Sequence, residues 1–270
     1  RPFCRNRSMR KYYGIIVLTL FMIACSKVPI TGRKQLNMLP ESQLMSMSLT
    51  QYQTFLKENK TIKSGSNAEM VKRVGNKIAK QVEAYMKKHG HGNRVKDYKW
   101  EFNLVDDDLV NAWCMSGGKV VFYTGILPIT KNETGLAVVM GHEIAHAIAR
   151  HGNERMSQGL LVQAGGLGLS VALSEKPELT RNLLLQSFGV GGTLGILKFS
   201  RMHESEADKM GLIFMAMAGY DPNEAVKFWQ RMSEQGGQKP PEFLSTHPHD
   251  DTRIADIKAY LPEALKFYKP

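Results

Sequence analysis

His142-Glu143-Ile144-Ala145-His146 sets two imidazoles and a carboxylate within five residues. On an α-helix, positions i and i+4 project from one face about one turn apart. Histidines so placed can share one Zn²⁺, and the glutamate between them can polarise a water. With 8 His and 16 Glu in 270 residues, chance supplies this pattern on the order of 0.01 times. The flanks (Val138-Val139-Met140, Ala147-Ile148) are apolar, unlike those of a solvated helix. A catalytic zinc needs a third protein ligand and one open position. Downstream candidates are His151, His203, Glu204, Glu206, Asp208, His247 and His249. His151 lies five residues past His146 and would reach the same ion only across a break in the helix. Glu204 and Asp208 are four apart and share a helix face, so Glu204 can bind metal while Asp208 accepts the free N–H of a ligand histidine. Glu206 points about 200° away from Glu204, and His203 remains open on spacing alone.

The elements that must position these groups follow from periodicity. Pro40-Glu41 opens a helix running to about Asn59, after which Lys60–Ser66 reads as a polar linker. Asn67 is an expected N-cap for a second helix, with Met70, Val74, Ile78, Val82 and Tyr85 at helical spacing. His89-Gly90-His91-Gly92 reads as a solvated turn. Alternation at Trp100, Phe102 and Leu104, then Val110–Met115 and Lys119–Tyr123 around Gly117-Gly118, predicts a small antiparallel sheet. Asp106-Asp107-Asp108 is a turn without the other ligands of a calcium loop. The H-E-x-x-H helix spans 132–151. Two Gly-interrupted apolar stretches, 159–173 and 183–197, are too short to cross a bilayer and read as buried or mobile helices. Helices are expected over 202–218 and 223–234 and from near Thr252, with a loop at 236–241. The fold class is α+β, mainly α. Cys114, in a strand, reads as a small buried hydrophobe.

Composition bounds the rest. The charge is +11, but five basic residues and no acid lie in residues 1–24, which leaves +6 for the other 246. That mild bias, without interleaved basic and aromatic residues, excludes a nucleic-acid-binding protein. Three cysteines exclude a disulfide framework. Arg10-Lys11 followed by an apolar run to Ile23 reads as a signal peptide over 1–24, with residues 1–8 upstream of a start at Met9. Met22-Ile23-Ala24-Cys25 is similar to a bacterial lipobox, which makes Cys25 the expected lipidation site. Residues 25–39 then form a lipidated arm, and 40–270 a single domain that carries the zinc motif. These features predict a bacterial envelope lipoprotein, outer-membrane and periplasm-facing, held to the membrane by its lipid.

A second motif extends the first. His142-Glu143-x-x-His146, with Ser200-Arg201-x-x-Glu204-x-Glu206-Ala207-Asp208-x-x-Gly211, resembles the HtpX/BepA-like metallopeptidases, relatives of the type I CAAX prenyl protease and the mitochondrial Oma-type peptidases. Asn111-Ala112, Gly117-Gly118, Tyr123-Thr124-Gly125, Ser245-Thr246-His247-Pro248 and Arg253 extend the likeness over about residues 25–262. Cys114-Met115-Ser116 departs from it, because this lineage usually has a proline before the double glycine. The resemblance implies a gluzincin fold, one Zn²⁺ held by His142, His146 and Glu204, and Asp208 behind the ligands. It implies Glu143 as general base, with a substrate strand added to the sheet edge at Asn111 and Ala112. His247 or Arg253 would support the oxyanion; a rival reading has His247 on the metal as a plug. The implied partners are unfolded or misassembled membrane proteins.

Overall fold

Every residue of helix α4 (Glu133–Ala149) from Gly135 to Ala149 is buried, so the most apolar of the described helices lies at the centre. The computed structural model describes residues 25–164, 177–188, 200–235, 242–247 and 252–269. Around α4 stand α1 (Glu41–Glu58), α2 (Ser66–Lys88), the short α3 (Leu127–Thr130), α5 (His151–Ala164), α6 (Pro177–Ser187), α7 (Arg201–Met217), α8 (Glu224–Glu234), α9 (Glu242–Thr246) and α10 (Arg253–Leu265). The signal-peptide reading over 1–24, the loop at 236–241, His249 and most of the two Gly-interrupted stretches lie outside the described residues. No helix among the described residues is long and apolar enough to cross a membrane.

The expected small sheet is present beside α4, formed by β3 (Thr61–Ile62), β4 (Glu101–Val105), β5 (Ala112–Met115) and β6 (Lys119–Tyr123) in the order β3-β4-β6-β5. The two outer pairs are antiparallel, while the central β4–β6 pair is parallel. The β5–β6 hairpin turns at Gly117-Gly118, both at positive φ, and returns β6 alongside β4 in the same direction. Alternation then divides the core. Val120 and Phe122 face the layer of α2, α4, α7, α8 and α10, whereas Val121, Tyr123 and Trp113 face Leu44 and Tyr52 of α1 and Leu183 and Leu184 of α6.

Three expectations change. The linker at 60–66 contains β3, which pairs with the end of β4. The arm at 25–39 is not merely extended: β1 (Cys25–Lys27) and β2 (Lys34–Leu36) form an antiparallel hairpin. That hairpin is pinned to the body by Met38 N–H on Ser157 Oγ (2.9 Å) and Asn153 Nδ2 on the Leu39 carbonyl (2.9 Å). Helix α2 begins at Ser66, one residue before the expected cap.

Helices α4 and α7 cross at two glycines. A Cβ on Gly211 would lie 2.8 Å from the His142 nitrogen, and one on Gly141 would lie 2.7 Å from the Gly211 carbonyl oxygen. Backbone cannot yield as a side chain can, so the close crossing needs both glycines. Gly211→Ala is therefore expected to cost about 1–3 kcal/mol and to lower the melting temperature by several degrees. A thermal melt beside the wild type checks this.

Candidate metal centre

The crossing brings the ligands within reach of each other. His142 and His146 project from α4 and Glu204 from the first turn of α7, whose N-cap Ser200 accepts a hydrogen bond from the His203 N–H (3.2 Å). His247 follows α9, with its N–H on the Phe243 carbonyl (2.8 Å). One ligating atom from each of His142, His146, Glu204 and His247 lies within 4.8 Å of the others, and all four residues are buried. His142 Nε2 is 3.0 Å from His146 Nε2 and 3.2 Å from His247 Nδ1. Glu204 Oε1 lies 3.1 Å from His247 Nδ1 and 3.4 Å from His146 Nε2.

A carboxylate surrounded by three imidazole rings in a dry pocket calls for a cation. His142 Nδ1 lies 2.9 Å from Asp208 Oδ1, which directs the ring's proton there and turns Nε2 toward the cluster. Burial opposes a charge on His142, but Asp208 and Glu204 outweigh burial and push the ring up to about 9. Burial drives His146 well below its ordinary value, and His247 down to about 4. The arrangement favours one positive charge among the Nε2 atoms, and a divalent ion meets that demand better than a proton.

Asp208 and Glu204 are themselves held by Arg253. Its Nε and Nη2 each lie 2.8 Å from Asp208, and Nη1 lies 3.0 Å from Glu204 Oε2. The guanidinium carbon sits 3.4 Å above the Trp229 ring centroid. The oxyanion role expected of Arg253 does not fit this placement, because its fork is committed to two buried carboxylates. His247 stands at the cluster itself, where a plug would stand, with Nε2 3.4 Å from Glu143 Oε1 and its ring stacked on Phe243 (4.5 Å). Glu143 is pushed up to about 8, chiefly by burial and further by the Glu204 charge, against the opposing His142 and Arg253.

Residues 68–261 match the sequence model of peptidase family M48. The chain belongs to peptidase family M48. It is similar to the mitochondrial metalloendopeptidase OMA1 of Saccharomyces cerevisiae, at 30% identity over 98% of this chain and 78% of that protein. OMA1 of Schizosaccharomyces pombe is 41% identical over 63% of this chain and 49% of its own length. The beta-barrel assembly-enhancing protease of Yersinia pestis is 34% identical over 59% of this chain and 34% of its own. The chain thus spans about half the length of the fission-yeast relative. As an M48 chain it is a metallopeptidase by family, which implies a metal, typically zinc, and the donor set above fits one.

These likenesses overturn the expected location. A bacterial outer-membrane lipoprotein does not accord with mitochondrial relatives, one of which this chain matches over nearly its whole length. A basic, acid-free segment before the domain is shared by secretory signals and organellar transit peptides, so composition could not separate them. Lipidation of Cys25 rested on the same bacterial pattern and goes no further; in the fold Cys25 pairs with Leu36 in the hairpin.

The other candidates of this M48 chain lie outside the cluster. Asn111 and Ala112 lie at and before the start of edge strand β5, and the Asn111 side chain accepts from the Ala112 N–H (2.9 Å). The neighbouring Val110 carbonyl accepts the Phe243 N–H (3.0 Å), so the segment carrying His247 covers this end of the edge. His151, His203 and Glu206 stand outside the ligand cluster, behind His146. Cys114 is a buried thiol, which burial pushes well above its ordinary pKa. His89 is exposed and stacks on Tyr85 (4.0 Å).

Proposed function

We propose that this chain is a zinc-dependent endopeptidase whose substrates are damaged or unassembled membrane proteins. The observation that carries the chemistry is the buried convergence of His142, His146 and Glu204, with Glu143 one residue from the first ligand. Zinc held by His142, His146 and Glu204 would polarise the scissile carbonyl and lower the pKa of a water. Glu143, a carboxyl raised toward neutrality by its dry surroundings, takes a proton from the attacking water and returns it to the leaving amine. Asp208 fixes the His142 ring, and Arg253 holds Asp208 and Glu204 in place. An extended segment added to the β5 edge at Asn111 and Ala112 would be bound mainly through its backbone, which suits unfolded substrates. The choice of substrate is supported by the Yersinia pestis relative, whose name is beta-barrel assembly-enhancing protease. The purified chain, loaded with zinc, is expected to cleave an unfolded test protein, to stop on chelation and to resume when zinc is restored. Failure to bind zinc would sink the reading.

One observation favours a second reading, a chaperone-like assembly factor with a normally closed site. His247 is 1% exposed and its segment covers the strand edge that a substrate would use. Under the first reading this segment must move before turnover, and His247→Ala is expected to raise cleavage severalfold at unchanged zinc content. Under the second, cleavage stays negligible in both proteins while clients are still protected from aggregation.

A further inference from the structure

Behind His146 lies a chain of polar contacts that the ligand set does not use. Helix α4 ends at Arg150 in a left-handed conformation (φ 62°, ψ 33°), an uncommon setting for a residue with a side chain. This break swings His151 beneath His146 rather than onto the metal position. His151 Nδ1 is 2.8 Å from His146 Nδ1, and His151 Nε2 is 2.9 Å from Glu206 Oε2. Glu206 also accepts from the Thr31 hydroxyl and from Arg33 Nε (2.8 Å). Arg33 Nη1 and Nη2 fork onto both oxygens of Glu154 (3.0 and 2.8 Å), whose Oε2 also meets His203 Nε2 (3.1 Å). Thr31 and Arg33 belong to the connection between the two strands of the N-terminal hairpin, Arg33 immediately before β2, 173 or more residues from Glu206 in sequence.

The contacts dictate where the protons lie. A carboxylate only accepts, so His151 donates to Glu206 from Nε2 and its Nδ1 is a bare lone pair. His146 must then donate from Nδ1, which leaves its Nε2 bare and facing the metal position. This mirrors the other ligand, where His142 leads to Asp208 and then to Arg253. We infer that His151, Glu206 and Arg33 are positioning residues: through them the N-terminal hairpin sets the tautomer and orientation of the metal ligand His146. The hairpin is thereby a working part of the metal centre rather than a tether. This deepens the zinc-peptidase reading and rests on it for its purpose.

The test uses the whole chain and two readouts. Imidazole ¹⁵N spectra of the metal-free protein are expected to show His146 protonated at Nδ1. Zinc affinity is measured by competition with a chelating dye. In His151→Phe the tautomer shifts and zinc binding weakens about 10–100-fold, while His151→Gln, whose amide oxygen accepts the same proton, recovers most of both. Arg33→Met, changed at a partly exposed side chain, weakens zinc binding about tenfold; Arg33→Lys does so less. Circular dichroism checks that each variant folds, and if His151→Phe does not, the glutamine and Arg33 variants decide. A wild-type tautomer and wild-type affinity in folded His151→Phe or Arg33→Met overturns the inference. A wild type that binds no zinc overturns the peptidase reading instead, and the tautomer spectra then decide the relay alone.

Discussion

Glu143→Gln is expected to reduce peptide cleavage by at least 10²–10⁴-fold while leaving zinc content and melting temperature near those of the wild type. The change is close to isosteric, and it removes the carboxylate that stands between the two histidines and can accept a proton from water. Exchanging the buried carboxyl for a neutral amide adds no charge to the pocket. The amide can keep the 3.4 Å contact with His247 Nε2, so the fold around the ligands should persist. Product analysis by mass spectrometry at matched zinc occupancy is the measurement. Undiminished cleavage would remove Glu143 from the chemistry. Retained protection of unfolded clients with no cleavage in either protein would favour the chaperone-like reading.

The second large effect is on stability. Arg253 is the counter-charge for Glu204 and Asp208, which are only 3% and 8% exposed. Arg253→Met leaves two adjacent carboxylates in a dry pocket with one partner gone, and breaking such a buried pairing typically costs 3–5 kcal/mol. The loss includes the stacking of the guanidinium on Trp229. Saturating zinc should return part of the stability, because the ion neutralises Glu204 directly and binds only the folded state. Denaturant unfolding with and without zinc gives both numbers. Arg253→Lys keeps the charge but not the fork that spans two acids, and is expected to fall between. An Arg253→Met protein as stable as the wild type without zinc would show that the carboxylates are neutral there, contrary to the arrangement described.

How the ligands of this centre were legible follows from where each signal resides. The His142–His146 pair and the Glu204–Asp208 pair are local: their spacing on one helix face is a property of helical geometry, visible before any fold is known. The strands at 101–105, 112–115 and 119–123 were likewise carried by alternation and by Gly117-Gly118. Glu206 was rightly placed on the other face of its helix from Glu204. What that face meets was not legible, because its partners come from the N-terminal hairpin and from a helix that starts only after Arg150 breaks α4. Arg253 reads in the sequence as a candidate oxyanion support, and its commitment to two acids is a fact of packing between α7 and α10.

The sequence by itself determined which groups are available for chemistry: two histidines that can share a metal, a glutamate between them, a carboxylate on a second helix, and the helices and strands that carry them. Those follow from short-range periodicity and residue type. Tertiary structure alone decided which groups are closed off and which are held in place. It laid the His247 segment over the strand edge, set Arg253 between Glu204 and Asp208, and ran the hairpin's Arg33 to His146 through Glu206 and His151. Each of these joins residues far apart in the chain, and such contacts depend on how buried faces and charges find partners in three dimensions, which no local pattern encodes.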